Sequence, residues 1–387
     1  MPQSLAPHFE FLKEIEGLRE ITRHNLVLDG TRCENSAEHS WHLALYALAL
    51  APHAADDVNI TRVVTMLLIH DIVEIEVGDH PIHEDVDWAE VERRENAAAA
   101  RIFGLLPDGA RYLSLWQEFE ADQSADARFA KALDRLQPLV QTLCGAPRLP
   151  EHLAICRENL ETGRARSVQE RLPDAFEAMT RLLEDPNAPL DGELAQQLAF
   201  VNEADKLKHI QRATRIGAGT RQENSGEHSW HITMFALILS DFAEADIAID
   251  RVLQMLLLHD LVEIDAGDVP IHAAPSAEEL AAIEAEEQAA AQRIIGLLPK
   301  AQGDAMLAIW QEFEAAESND ARFAKSMDRV QPVLLNLMTN GGSWVDYDVH
   351  LPQLEARVGD KVRRGSLRVW QHLLKEITPW FAERGRL

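Results

Sequence analysis

Residues 31–50 read TRCENSAEHSWHLALYALAL, and residues 220–239 read TRQENSGEHSWHITMFALIL. A second block, MLLIHDIVEIEVGDHPIH from Met66, returns as MLLLHDLVEIDAGDVPIH from Met255. The offset is 189 positions in both blocks (31 to 220, 66 to 255). LWQEFEADQSADARFAKALDRLQP from Leu115 returns as IWQEFEAAESNDARFAKSMDRVQP from Ile309, so the offset has grown to 194. The insertions therefore lie in the connections between blocks. A unit this long is a whole domain, not a solenoid repeat of about 20–50 residues. The chain contains one domain twice.

Working outward, the stretch EDPNAPLDGE at residues 184–193 lacks periodicity and is rich in Pro, Gly and Asp, which marks a linker. Domain 1 is then residues 1–186 and domain 2 residues 192–387. The first segment, residues 10–23, places Phe11, Ile15, Leu18 and Ile21 at helical spacing and predicts a helix running to Arg23. Residues 40–50, 60–74, 86–103, 110–120 and 125–143 are helix-length and rich in Ala, Leu, Glu and Arg. No convincing period-2 stretch interrupts them. The expected fold class is all-α, as two tandem helical bundles.

Composition narrows the function. With 64 acidic and 37 basic residues the formal charge is −27. That balance argues against stable nucleic-acid binding, which needs a positive footprint. A small phosphorylated substrate remains compatible, because a metal and one or two local arginines can hold it. No apolar run approaches the roughly 20 residues that span a bilayer. Cys33, Cys144 and Cys156 are too few and too irregular for a disulfide framework or a cysteine-based zinc site. A cytoplasmic protein is expected.

Each half carries the residues of a metal site. His39 precedes the pair His70–Asp71 by 31 positions, and His228 precedes His259–Asp260 by the same 31. A further aspartate follows in FAKALDR (Asp134) and FAKSMDR (Asp328). Imidazole and carboxylate together suit divalent Mn, Co, Ni, Zn, Fe or Mg. Four protein ligands leave positions open for water and substrate. Charges at the inner end of an apolar helix are costly unless paired or metal-bound. The reading is one divalent metal per domain; His83 and His272 are the matched candidates for any additional ligand.

The H…HD…D order resembles the HD superfamily of metal-dependent phosphohydrolases. The strings EHSWH, HD-(I/L)-VEI-(E/D)-x-GD, LWQEFE and ARFAK-x-x-DR are similar to the branch that contains the bacterial 5′-deoxynucleotidases. The resemblance covers nearly all of both halves. It implies that His39, His70, Asp71 and Asp134 bind one metal and that His228, His259, Asp260 and Asp328 bind another. Members of that branch usually carry one such domain and form homodimers, so this chain looks like two protomers fused into an intramolecular pseudo-dimer of HD bundles.

Phosphomonoester hydrolysis needs a water nucleophile, a cation on the phosphoryl oxygens and a proton for the leaving group. Glu74 lies four residues after His70 and three after Asp71, hence on the same helix face; Glu263 matches it. Either orients or deprotonates the water, or holds a ligand imidazole, and the resemblance favours the former. Asp79 and Asp268 follow in a G-D step, where a turn or helix cap would also explain them; the resemblance places them at the scissile bond. For the substrate phosphate, Arg23 and Arg212 are the best positional matches, with Arg32 and Arg221 as the other candidates. The expected function is hydrolysis of (deoxy)nucleoside 5′-monophosphates by a metal-activated water. The alternatives are phosphodiester or triphosphate hydrolysis of nucleotides, or non-catalytic nucleotide binding. The GGSW segment at residues 341–344 marks domain 2 as the more family-like pocket.

Overall fold

The computed structural model describes residues 4–81, 86–269 and 276–387. They are dominated by helices, and the strands form two short two-stranded hairpins. None of the described helices is long and apolar enough to cross a membrane.

The helix Ser36–Ala49 is buried at every position. A helix without a solvent face must lie at the centre of its bundle. Its start is fixed by a capping box: Asn35 accepts from the Glu38 amide at 2.9 Å, and Glu38 accepts from the Asn35 amide at 2.8 Å. Ser225–Leu239 is capped in the same way and is likewise wholly buried. The helix Ile60–Ile69 packs beside the first, then tightens into the 3-10 turn His70–Val73 and the short helix Glu74–Val77. Gly78 ends it at φ +80°, ψ 167°. The long helix Ala125–Cys144 completes the site and contains Pro138. Proline has no amide hydrogen, so the carbonyl four residues back, on Asp134, loses its helical partner. Pro332 repeats this four residues after Asp328.

The sequence places Arg23 at a helix end, and the structure corrects this. The leading helix stops at Ile15, a 3-10 turn covers Glu16–Glu20, and Arg23 sits on the strand Thr22–Leu26, paired antiparallel with Cys33–Asn35. Arg212 is likewise on a strand, Gln211–Arg215. The turn is carried by Asp29–Gly30, with Gly30 at φ +68°. Asp-Gly is a strong hairpin signal, but here it follows the unbroken apolar run Leu26, Val27 and Leu28 rather than a clean alternation.

The compact units do not follow the repeats. One consists of Leu18–Lys206 with the short stretch Leu297–Lys300. The other consists of Leu207–Gly296 and Ala301–Leu387 with the leading residues up to Gly17. Each repeat's first helix thus belongs to the unit of the other repeat. Ala6–Ile15 packs on the second repeat: Phe9 meets Phe235 edge-on at 6.4 Å, and His231 Nε2 donates to the Leu12 carbonyl at 3.2 Å. Reciprocally, Gly192–Ala204 packs on the first repeat, where His42 Nε2 donates to the Val201 carbonyl at 2.8 Å. His42 and His231 are therefore engaged with backbone. Trp41 and Trp230 are wholly buried core residues.

Phe11 is fully buried within this exchanged helix. Phe11→Ala is expected to destabilise the unit of the second repeat by about 3–5 kcal/mol, measured by urea unfolding. A loss below about 1 kcal/mol would contradict the packing described.

Candidate metal centre

The two histidines are presented with their Nε2 atoms inward. His70 uses Nδ1 to donate to the Leu67 carbonyl at 2.8 Å, and His259 does the same to Leu256 at 2.9 Å. This fixes the tautomer and leaves the Nε2 lone pair free for a ligand role. The Nε2 atoms of His70 and His259 are buried and make no hydrogen bond. The His70 main chain is pinned as well, since Trp116 Nε1 donates to its carbonyl at 3.0 Å and Phe119 meets its ring edge-on at 5.2 Å. His39 turns Nδ1 toward Glu34 at 3.3 Å and Nε2 toward Asp134 at 3.3 Å and Asp71 at 3.9 Å. His70 Nε2 lies 3.0 Å from Asp71 and 3.8 Å from Asp134.

One donor atom each from His39, His70 and Asp71 falls within 4.8 Å of the others, and His228, His259 and Asp260 match them. Asp328 joins the second cluster, 3.3 Å from His228 Nε2. All eight sequence-nominated ligands are thus gathered into two clusters of four. The donor sets fit a divalent cation. They combine neutral imidazole with carboxylate, they include buried nitrogen lone pairs without partners, and they carry excess buried negative charge.

That excess is only partly offset. The Arg23 guanidinium reaches Asp71 at 2.7 Å, Glu74 at 3.5 Å, Asp79 at 3.8 Å and Glu34 at 3.9 Å. Arg212 reproduces the pattern with Asp260 at 2.7 Å, Glu263 at 3.1 Å, Asp268 at 3.6 Å and Glu223 at 3.6 Å. Burial opposes ionisation of Asp134, yet its bond to His39 and the nearby Arg23 guanidinium hold its carboxyl below the usual range. Glu74 goes the other way: burial first, then Asp71, push its carboxyl well above the ordinary value, against the pull of Arg23. Glu263 is raised in the same way. The carboxyls of Asp134 and Glu74, on separate helices, are thus driven apart, the usual mark of separate acid–base duties. Ser36 Oγ donates to Glu74 at 2.5 Å and Ser225 Oγ donates to Glu263, which orients both carboxyls.

Arg32 and Arg221 have a different task. Arg32 binds Glu38 through both terminal nitrogens, at 2.9 and 2.6 Å, and Arg221 binds Glu227 in the same manner. They brace the capping boxes, while Arg23 and Arg212 line the cavities beside the clusters. Those cavities are also lined by Arg135 and Arg329, directly after Asp134 and Asp328. The sequence reading passed over this second arginine pair, although the repeated D-R step was a signal. It also passed over Glu34, Glu223, Ser36 and Ser225, which sit within the quoted T-R-x-E-N-S strings. His83 and His272 lie outside the described residues.

An HD-domain family model matches residues 15–176 and 204–370. The chain belongs to the HD-domain family. Among curated proteins, it is 33% identical over 135 residues to the 5′-deoxynucleotidase HDDC2 of Danio rerio, covering 34% of this chain and 66% of that protein. The Homo sapiens protein of the same name is 32% identical over 135 residues, covering 34% of this chain and 65% of that protein. The chain thus spans just under two thirds of the length of these relatives. Among solved structures, the predicted metal-dependent phosphohydrolase from Magnetospirillum magnetotacticum MS-1 is 42% identical, covers 50% of this chain and 95% of that chain, and aligns with a TM-score of 0.47.

The turn into Asp79 depends on Gly78. Its dihedrals lie in a region that is essentially glycine-specific, and a Cβ there would meet nothing within 4 Å. Backbone conformation, not space, demands glycine. Gly78→Ala is expected to cost about 1–3 kcal/mol of stability, read by thermal unfolding, with Gly267→Ala behaving alike. A neutral substitution would show that the turn is not held as described.

Proposed function

We propose that each half of this chain is a divalent-metal-dependent phosphohydrolase that cleaves (deoxy)nucleoside 5′-monophosphates. The observation that carries the reading is the twice-built cluster of two histidines and two aspartates, with Arg23 or Arg212 at its edge and a cavity beside it. The names of the similar curated proteins support the same substrate class.

His39, His70, Asp71 and Asp134 would hold the cation in the first half, and His228, His259, Asp260 and Asp328 in the second. When bound, the cation supplies Lewis-acid polarisation of the phosphoryl group and lowers the pKa of a coordinated water. Arg23 and Arg135, with Arg212 and Arg329 opposite them in sequence, offset the charge that develops on the phosphoryl oxygens. Glu74, its carboxyl oriented by Ser36, accepts the proton of the attacking water. Asp79 delivers a proton to the departing sugar oxygen. In the second half burial raises the Asp268 carboxyl, which suits a donor. The reciprocal exchange of leading helices supports reading the chain as two fused protomers, a pseudo-dimer in one polypeptide. We also read it as a cytoplasmic enzyme that forms no stable nucleic-acid complex.

The test is phosphate release from deoxynucleoside monophosphates with each of Mn, Co, Ni, Zn, Fe and Mg, together with elemental analysis. Two divalent ions per chain are expected, falling to one in Asp71→Ala and one in Asp260→Ala. No phosphate release with any ion would overturn the reading. Two further substitutions separate the arginines. Arg23→Ala in an Asp260→Ala background is expected to raise KM at least about tenfold, as loss of a charged phosphate contact does. Arg32→Ala in that background is expected to lower stability by about 1 kcal/mol or less, with little change in KM. The reverse order in steady-state kinetics would restore Arg32 as the phosphate ligand.

A further inference from the structure

The two clusters open into unlike cavities. The cavity of the first half is several times the size of that of the second. Both begin alike, with the paired arginines and the G-D aspartate at the phosphate end. They diverge beyond it. His24 and Asn25 of the first half correspond to Ala213 and Thr214 of the second, and His80 corresponds to Val269. His24 stands at the rim with its side chain 60% exposed, and its Nδ1 lies 3.3 Å from Asp79.

The far walls differ in chemistry as well as position. In the first half the helix Pro150–Glu161 contributes His152 and Asn159. In the second, the buried side chains of Trp344, Leu354 and Val358 stand beside Asn336 and Ser343, whose polar groups are engaged with each other, with Asn336 Nδ2 donating to the Pro332 carbonyl. Trp344 is locked in place by Trp380 and Phe381, at ring separations of 5.3 and 5.0 Å. The GGSW segment that looked most family-like is thus what narrows the second cavity. A wall whose polar groups are already paired with one another offers fewer contacts to the edges of a bound base, and a site that hydrogen-bonds its ligand discriminates far better than one that only encloses it.

We propose that the two sites divide the nucleotides between them. The first takes purine nucleoside monophosphates, reading the base through His24, Asn25, His80, His152 and Asn159. The second takes the smaller pyrimidine nucleoside monophosphates. This rests on the nucleotide reading of the preceding section and adds that the duplicated sites are not redundant.

The experiment uses full-length chains with one site disabled: Asp260→Asn leaves the first site intact, and Asp71→Asn leaves the second. Binding of dGMP and dCMP is measured by titration calorimetry, and phosphate release in parallel. The Asp260→Asn chain is expected to bind dGMP at least about tenfold more tightly than dCMP, and the Asp71→Asn chain to show the opposite order. Adding His24→Ala and His80→Val to the former should reduce its preference to under about threefold. Grafting Ala213→His and Val269→His into the otherwise unaltered protein, at half-buried and exposed positions, should raise total dGMP affinity; it serves if a site knock-out fails to fold. Equal dGMP-to-dCMP ratios in the two single-site chains would overturn the proposal, as would an absence of nucleotide binding to either. Divided binding without phosphate release would leave this inference standing and remove the hydrolase reading.

Discussion

Arg23 is surrounded by Asp71, Glu74, Asp79 and Glu34, with Asp134 close behind through His39. One guanidinium cannot balance that many carboxylates in a largely dehydrated setting. Each has to find further compensation, and the surrounding structure consists largely of ways of providing it. Glu34 is held by Gln137 and Gln141. Glu74 is held by Ser36 and pushed toward its neutral form. Asp71 and Asp134 face imidazole nitrogens, and there the proposed divalent cation would complete the balance. The central helix is buried on all sides because it delivers His39 into this cluster, and the capping box with Arg32 fixes where that helix begins.

Much of this was legible in the sequence, and the reason is repetition. His39, His70, Asp71 and Asp134 stand out because the same residue types return at the same spacing in residues 228–328. The helical character followed from composition and from the Pro and Gly punctuation. The hairpin bearing Arg23 did not follow. Its five-residue strand, TRHNL, carries too few apolar positions for a period of two to register, and the apolar spacing of residues 11–21 extrapolates through it. Glu34 and Ser36 went unassigned for another reason. A buried carboxylate and a hydroxyl look like surface residues until the imidazole and carboxyl they orient are placed beside them. Arg32 was a reasonable candidate by residue type, but its partner Glu38, six residues on, is apparent only once the strand-to-helix geometry is known.

The exchange of leading helices lies beyond sequence reading altogether. A repeat records descent, whereas a compact unit records packing, and nothing in residues 6–15 says which copy of an apolar surface they cover. The same applies to the unlike cavities. Trp344 reads as one more buried tryptophan until Trp380 and Phe381 fix it as a wall.

The exchange also bears on how such a chain can evolve. Because Ala6–Ile15 completes the unit of the second repeat and Gly192–Ala204 completes that of the first, neither half can be discarded by a simple truncation. A deletion that removes one repeat strips a core helix from the survivor. The duplicated gene is thereby ratcheted: its two candidate sites are free to drift toward different ligands, while their scaffolds stay under joint selection and are inherited as one indivisible piece.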